Sequence, residues 1–221
     1  MIRVAITGCD GCGKSTVLTG LTIKLIEKGY RTCIDDKWDV LKPALHPITA
    51  SILAPDLPNL KKCISKMEGP SRALFLLWLM STSSHKAVQD SNVDILLHDG
   101  YWMKHLVAEI EYGNCEELLW MMVGSLPVPQ LTIMLDAPVE ETLRRKLNAS
   151  LLTPYECGRD DRCEGVDFIL HQQKLRKRMN ELCDKFGWIK IDGDRPRDEV
   201  VLEAFTAIEE LVSSNSRFAI E

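Results

Sequence analysis

Short apolar runs alternate with longer amphipathic stretches along the chain. Five of these runs are rich in aliphatic or β-branched residues, which predicts five strands. They are IRVAIT (2–7), RTCID (31–35), VDILLHD (93–99), LTIMLD (131–136) and WIKID (188–192). Because strands that alternate with helices pair in parallel through right-handed crossovers, the pattern predicts an α/β fold with a five-stranded, mostly parallel sheet flanked by helices.

Helical spacing of apolar positions marks the stretches between the strands. The apolar face of the first helix comprises Val17, Leu18, Leu21, Leu25 and Ile26, and Gly29 follows as its cap. A long helix is predicted from about Ser71 to Gln89, with Trp78 and Met80 in the core. Its apolar run ALFLLWLM (73–80) is far shorter than the roughly 20 residues that span a bilayer. The proline-rich stretch 37–70 is predicted to be an irregular binding flap with short helical fragments.

Length, charge and cysteine content narrow the class of protein. A chain of 221 residues can bury one substantial core, so we expect a single domain. The net charge of -5 argues against a nucleic acid polymer as the main partner. The amino terminus runs directly into a glycine-rich loop without a signal segment, so we expect a cytoplasmic protein without a membrane anchor. There the eight cysteines would stay reduced, most of them acting as small hydrophobic residues.

The segment GCDGCGKS (8–15) matches the phosphate-loop pattern G-x-x-x-x-G-K-[ST] between a predicted strand and a predicted helix. Its glycines allow consecutive backbone N–H groups to approach an anion closely. Lys14 would then reach the β- and γ-phosphates of a nucleotide, and Ser15 would hold Mg²⁺. The residues predicted to bind the nucleotide are Gly8, Asp10, Gly11, Gly13, Lys14, Ser15 and Thr16.

Cys9 and Cys12 in the same loop also have the spacing of a redox or metal-binding pair. A redox role requires a thioredoxin-like setting, and a metal site requires two further ligands, which Cys157 and Cys163 would supply only by folding over the loop. The complete phosphate-loop match favours phosphate binding. The five histidines show no metal-ligand spacing with one another.

With these motifs in place, the sequence resembles the thymidylate kinase family of nucleoside monophosphate kinases. The similar segments are GCDGCGKST (8–16), LTIMLDAPVEETLRRK (131–146), the lid-like DDRCEGVDF (160–168) and the adenine-side IDGDRPRDEV (191–200). They span nearly the whole chain in the family's order. The resemblance implies one P-loop kinase domain over residues 1–221 with a short lid at about 151–163, ATP and Mg²⁺ as cofactors, and a homodimer formed through the helices that follow the first three strands.

The resemblance also implies roles for individual residues. Lys14 would neutralise the ATP phosphates, Mg²⁺ would bind through Ser15 with Asp99 nearby, and the lid would supply Arg159 and Arg162 to stabilise the transition state. Asp10 occupies the position that faces the sugar hydroxyl of the phosphoryl acceptor. The residues expected to bind the acceptor are Asp10, Asp36, Lys37, Arg72 and Tyr101.

The acceptor half departs from the family pattern. Asp99, Gly100 and Tyr101 stand where the family has Asp-Arg-Tyr, DDKWD (35–39) replaces Arg-Glu-Pro, and Thr82 replaces an arginine that faces the base. Each lost charge-assisted bond to a phosphate is worth roughly 1.5 to 3 kcal/mol. The cations that could substitute are Lys37, Lys42, Arg72 and Lys104.

Three functions follow from this mixture of kept and altered motifs. The leading hypothesis is ATP-dependent phosphoryl transfer to a nucleoside monophosphate, most simply dTMP or a related pyrimidine nucleotide. A second is phosphorylation of a hydroxyl on a nucleoside or other small metabolite, with Asp35 or Asp36 as general base. A third is a nucleotide-binding regulator that has lost transfer chemistry.

Overall fold

A computed structural model describes residues 1–53, 57–89, 92–149, 152–158 and 163–217. Its strands are β1 (Ile2–Thr7), β2 (Thr32–Asp35), β3 (Ile95–Asp99), β4 (Leu131–Asp136) and β5 (Ile189–Asp192). They form one sheet in the order β2-β3-β1-β4-β5, and every described pairing is parallel. The predicted α/β fold is therefore confirmed, with a fully parallel sheet where a mostly parallel one was expected.

Helices cover both faces of the sheet. They are α1 (Lys14–Glu27), α2 (Pro47–Leu53), α3 (Leu57–Ser65), α4 (Ser71–Gln89), α5 (Tyr101–Glu111), α6 (Glu116–Val123), α7 (Val139–Ala149), α8 (Gly165–Phe186) and α9 (Arg197–Arg217). Two short 3-10 helices span Lys37–Leu41 and Pro154–Glu156. Across the described residues, every helix is too short or too polar to cross a membrane.

Two apolar cores lie on opposite faces of the sheet. On one face, α1 and α9 pack so closely that a Cβ on Gly20 would lie 2.7 Å from Val201 Cγ2. On the other face, α4, α5, α6 and α8 enclose side chains such as Met80 and Val107. Burying a large aliphatic side chain contributes about 1.5 to 3 kcal/mol, so these two layers supply most of the stabilisation.

Two of the side chains assigned to the core by periodicity are solvent-exposed instead. Ile26 is 56% exposed because it lies one residue beyond the buried Leu25, about 100° further around α1. Trp78 is 41% exposed on α4, whereas Met80 is buried as predicted. The stretch 37–70 consists largely of short helices, and Pro47 begins α2.

The sheet order determines where a ligand can bind. β1 lies at the centre, between β3 and β4. The chain crosses from β1 to β2 at one edge of the sheet, and later from β3 to β4 on the other side of β1. In open parallel sheets, ligands bind outside the carboxyl ends of the strands at such a switch point. The glycine-rich loop after β1 and Asp99 at the end of β3 both lie at this edge.

Candidate active site

The glycine-rich loop has a backbone that only glycine allows at two of its positions. Gly8 has a φ of 140°, and a Cβ there would lie 2.4 Å from the carbonyl oxygen of Leu135. Gly11 has a φ of 81°, and its Cβ would lie 2.5 Å from the carbonyl oxygen of Thr142. Gly13, also left-handed, caps the amino end of α1. The loop therefore presses against β4 and α7 and directs the positive end of α1 toward the switch point.

Lys14 is folded back onto this loop. Its ammonium group donates to the carbonyl oxygens of Gly8 at 3.0 Å and Cys9 at 2.7 Å, with Cys12 Sγ at 3.8 Å. Both of these acceptors are neutral carbonyl oxygens. An incoming phosphate can replace them with stronger, charge-assisted hydrogen bonds.

A cavity of about 600 Å³ opens in front of the loop. This volume lies within the range typical of ligand sites. The predicted site residues that line it are Asp10, Gly11, Gly13, Lys14, Ser15, Thr16, Asp36, Lys37 and Asp99. Gly8, the first residue of the loop, does not line the cavity; its backbone conformation shapes the loop instead. Most of the residues singled out from sequence are thus brought together in one cavity.

Asp10 is held by an ion pair on the cavity floor. Lys104 on α5 donates to both Asp10 carboxylate oxygens, at 2.6 and 2.8 Å. Burial alone would raise the pKa of the Asp10 carboxyl, but the ammonium groups of Lys104 and Lys14 outweigh it and hold that pKa well below its usual range. Gln172 on α8 donates a further hydrogen bond to Asp10 at 3.2 Å. Asp10 therefore stays ionised and fixed in place.

Asp36 and Lys37 line the opposite wall, directly after β2. The Asp36 carboxylate accepts a hydrogen bond from the Trp38 backbone N–H at 3.1 Å and caps the 3-10 helix. Burial raises the pKa of Asp36. Burial, with help from the charge on Lys104, lowers the pKa of Lys37 to about 8, although Asp36 opposes the shift. Asp35 lies elsewhere, buried and hydrogen-bonded to His98 Nδ1 at 2.7 Å.

Two residues predicted to bind the acceptor, Tyr101 and Arg72, do not line this cavity. Tyr101 is buried beneath it, with its ring stacked 4.2 Å from His98 and its hydroxyl donating to the carbonyl oxygen of Pro127. Arg72 is buried beyond the Asp10–Lys104 pair, where its Nε lies 2.6 Å from Glu109 Oε1. The small cavity there holds about 10 Å³, room for roughly one water molecule.

The predicted lid is described only in part. Arg159 and Arg162, the expected catalytic arginines, lie outside the described residues. The part that is described contributes Thr153, Tyr155 and Glu156 to the cavity wall. Lys146 on α7 pairs with Glu156 at 2.5 Å, and Gln172 donates to the Glu156 carbonyl oxygen at 2.9 Å. The lid base is therefore tied to the same polar network as Asp10.

The cysteines follow a different arrangement from the one expected. Cys157 and Cys163 form a disulfide, with Cα atoms 5.3 Å apart, so the expectation of reduced thiols is wrong for this pair. Cys9 is buried, and burial raises its pKa to about 12, which disfavours a reactive thiolate. Among the described residues, no cluster of three His, Cys, Asp or Glu side chains could hold a metal ion.

Oxygen donors for a magnesium ion are present in the cavity. The Ser15 hydroxyl at the start of α1 and the Asp99 carboxylate at the end of β3 line the same space in front of the loop. Hydroxyl and carboxylate oxygens are the ligands that Mg²⁺ prefers, and the ion usually takes its remaining ligands from water and substrate phosphates. The predicted pair thus fits the chemistry of this ion.

A second cavity of about 230 Å³ adjoins the loop on the side of β4 and β5. It lies between Gly13 and Thr16 on one side and Gly193 and Arg195 on the other. Arg145 borders both cavities and donates to the Gly193 carbonyl oxygen at 2.9 Å. Gly193 and Arg195 belong to the segment 191–200, which the sequence resemblance places near adenine.

Several cavity residues escaped the sequence analysis. Trp38, Lys61, His105 and Tyr155 all line the main cavity. Lys61 comes from α3, in the stretch that was expected to be irregular. Neither spacing nor motif indicates that Lys61 lines the same cavity as the glycine-rich loop, which lies almost fifty positions earlier in the chain. No sequence signal would therefore have identified Lys61.

Comparison with known proteins gives relatives along the whole chain. A thymidylate kinase of Geotalea daltonii is 29% identical over 217 residues, covering 93% of this chain and 95% of its own. A thymidylate kinase of Chlamydia caviae is 27% identical, with coverages of 94% and 97%. The resemblance to the thymidylate kinase family is confirmed.

A third relative with similar coverage is named with less certainty. A probable thymidylate kinase of Metallosphaera sedula is 24% identical, with 98% of this chain and 96% of the relative covered. No protein-family model matches the chain. In all three comparisons the aligned regions cover nearly the full length of each protein.

Proposed function

We propose that the protein transfers the γ-phosphoryl group of ATP to a nucleoside monophosphate, most simply dTMP or a related pyrimidine nucleotide. One observation carries the proposal: a phosphate loop with its lysine faces a single cavity whose far wall carries further lysines. The names of the relatives, which are thymidylate kinases or probable thymidylate kinases, agree with it.

The donor half of the reaction would use the loop. Lys14 would exchange its two carbonyl acceptors for the β- and γ-phosphates, and the amino end of α1 would stabilise the same charge. Ser15 and Asp99 would hold Mg²⁺, which supplies neutralisation of the phosphate charge when bound. The second cavity beside Gly193 is the proposed adenine site.

The transfer itself needs little proton chemistry. An oxygen of the acceptor phosphate forms a bond to the γ-phosphorus while the bond to the bridging oxygen of ADP breaks. The acceptor oxygen is already anionic at neutral pH, so no general base is required. Asp10, held by Lys104, would orient a sugar hydroxyl of the acceptor. Arg159 and Arg162 remain the proposed transition-state cations.

A hydroxyl acceptor is the second candidate, and Asp36 is the observation that favours it. This carboxylate lines the cavity, and burial raises its pKa, which brings it nearer to that of an effective general base. Asp35 is the weaker base candidate because it is buried and bonded to His98. Asp36→Asn separates the two functions, since only hydroxyl transfer requires the carboxylate as a base.

The test is a product assay with ATP, Mg²⁺ and a panel of nucleoside monophosphates and nucleosides, followed by mass spectrometry. We expect a nucleoside diphosphate and ADP, with Lys14→Met strongly impaired and Asp36→Asn still active. Phosphorylated nucleosides that disappear with Asp36→Asn would establish the second candidate. Nucleotide binding without any product would contradict both and favour a regulator.

We also propose a homodimer in the cytoplasm with one catalytic domain per chain, as the thymidylate kinase resemblance implies. Light scattering coupled to gel filtration measures the first point. A mass near twice the 25.0 kDa of the chain is expected, and a monomer at working concentration would contradict it.

A further inference from the structure

Two lysines flank one tryptophan ring on the cavity wall beside β2. Lys37 Nζ lies 5.0 Å from the centroid of the Trp38 ring, and Lys61 Nζ lies 5.6 Å from the same centroid. Lys37 and Trp38 belong to the 3-10 helix, whereas Lys61 projects from α3. All three line the main cavity. Two separate elements thus place ammonium groups on one aromatic surface.

The other cations around this cavity have acceptors of their own. Lys104 pairs with Asp10, Lys146 pairs with Glu156, and Lys14 donates to loop carbonyl oxygens. Within the part of the chain that the structure describes, Lys37 and Lys61 form no ion pair within 4.0 Å. The Trp38 ring attracts both charges through its face but cannot neutralise either one.

Two ammonium groups that meet one aromatic ring, and that form no ion pair among the described residues, leave hydrogen-bond donors for an anionic ligand. Burial lowers the pKa of Lys37 to about 8; the charge on Lys104 adds to this shift, and Asp36, Asp99 and Asp10 oppose it. An anion bound between Lys37 and Lys61 would compensate the charge of Lys37 and raise its pKa. The lining of the cavity therefore offers two ammonium groups, from two separate elements, to an anionic ligand.

We propose that Lys37 and Lys61 form a clamp over Trp38 that holds the phosphate of the phosphoryl acceptor. The identity of the acceptor rests on the proposed function; the anion site itself does not. The two lysines replace, with different residues on different elements, the acceptor-binding arginines whose absence the sequence shows.

The sheet order indicates that this phosphate belongs to the acceptor and not to ATP. The loop follows the central strand β1, and the proposed adenine cavity lies toward β4 and β5. Lys37 follows β2, at the opposite edge of the sheet. A nucleotide that extends from Gly193 to Lys14 therefore leaves the clamp on the far side of its terminal phosphate.

The first test maps lysine reactivity. The full-length protein is saturated with a non-hydrolysable ATP analogue and Mg²⁺ and then treated briefly with an acetylating reagent. The treatment is carried out alone and in the presence of dTMP, thymidine or inorganic phosphate. Acetylated peptides are quantified by mass spectrometry. We expect dTMP and phosphate to protect Lys37 and Lys61, thymidine to give little protection, and the exposed Lys62 to be unaffected. Absence of protection by both anions would overturn the proposal.

The second test measures binding without turnover. Equilibrium titrations of dTMP and of the ATP analogue are compared for wild type, Lys37→Gln, Lys61→Gln, the double variant, and the matched control Lys62→Gln on the same helix. Each single change is expected to weaken dTMP binding about tenfold and the double change about a hundredfold, from the loss of one or two charge-assisted contacts. Binding of the ATP analogue should not change.

The outcomes separate the clamp from the proposed function. Weakened binding of the ATP analogue instead of dTMP would mean that the lysines serve the donor, and an equal effect of Lys62→Gln would mean general electrostatics; either result refutes the clamp. Protection of Lys37 and Lys61 by inorganic phosphate in a protein that turns over no monophosphate would contradict the function and leave the clamp standing.

Discussion

Replacing Arg72 by methionine distinguishes a structural arginine from a substrate-binding one. Arg72 and Glu109 are each 3% exposed at their side chains and lie 2.6 Å apart. The guanidinium carbon also lies 3.7 Å from the centroid of the Tyr112 ring. Asn114 donates to the second Glu109 oxygen at 2.9 Å. Arg72→Met would therefore leave a buried carboxylate without its cationic partner.

The expected loss is large because the desolvated Glu109 charge loses its compensation. Removing one partner of a buried ion pair costs about 3 to 5 kcal/mol. For a chain of this size each kcal/mol corresponds to about 2 to 4 °C, so the melting temperature should fall by roughly 6 to 20 °C. The double variant Arg72→Met with Glu109→Gln removes the unpaired charge and keeps an acceptor for Asn114, so it should recover much of the loss.

Thermal unfolding followed by circular dichroism measures this effect, with steady-state kinetics at a temperature where every variant is folded. The control is Arg31→Met, which breaks a bidentate but exposed pair with Asp94 and should change the melting temperature much less. We expect Arg72→Met to leave the KM for the acceptor unchanged. Wild-type stability together with a raised acceptor KM would refute the structural role and return Arg72 to the binding site.

Four further predictions follow from the site. Lys14→Met should lower kcat/KM by about 10² to 10³ through lost phosphate stabilisation, measured by product formation. Gly11→Ala should destabilise the protein more than Gly113→Ala, because both glycines have a φ near 80° but only Gly11 faces a carbonyl oxygen. Equal melting temperatures of the two variants would contradict this. For the acceptor, kcat/KM should fall as pH rises through about 8, where free Lys37 loses its proton, and Lys37→Arg should abolish that fall. Thiol titration of the denatured protein should count six free cysteines without reductant and eight with it; eight in both would exclude the Cys157–Cys163 bond.

Local sequence determined the strands and the loop because both depend on local physics. In the run IRVAIT every residue except Arg3 is apolar or β-branched, which is typical of a strand in the interior of a parallel sheet. The loop follows from its glycines, since Gly8 and Gly11 leave no room for a Cβ. Lys14, Ser15 and Asp99 could be placed because they sit at fixed offsets from these elements.

Contacts between residues that are far apart in the sequence could not be predicted from local sequence. Arg72 reads from sequence as an available cation, but α5 brings Glu109 against it from 37 positions away. Tyr101 was predicted to bind the acceptor because it follows closely after Asp99. In the structure its φ is 36°, and its ring stacks on His98. Lys61 reaches Trp38 only through the packing of α3. These contacts depend on how helices pack, which neither periodicity nor motif specifies.

The network around Asp10 links binding to the lid. Lys104, Asp10, Gln172 and the lid residue Glu156 are connected by successive hydrogen bonds. The free energy that such a hydrogen-bond network contributes can exceed the sum measured by removing its members one at a time. We therefore expect a ligand that moves Asp10 or Lys104 to disturb the contact between Gln172 and Glu156.

Tracing the transferred phosphoryl group tests the central claim most directly. The protein is incubated with dTMP, Mg²⁺ and ATP that carries ¹⁸O in its γ-phosphate, with Lys14→Met as the control, and the products are resolved by mass spectrometry. The account predicts labelled dTDP, with the label in its β-phosphate, and unlabelled ADP. Label found only in free phosphate, or only on a sugar hydroxyl when thymidine is supplied, would contradict transfer to a nucleoside monophosphate.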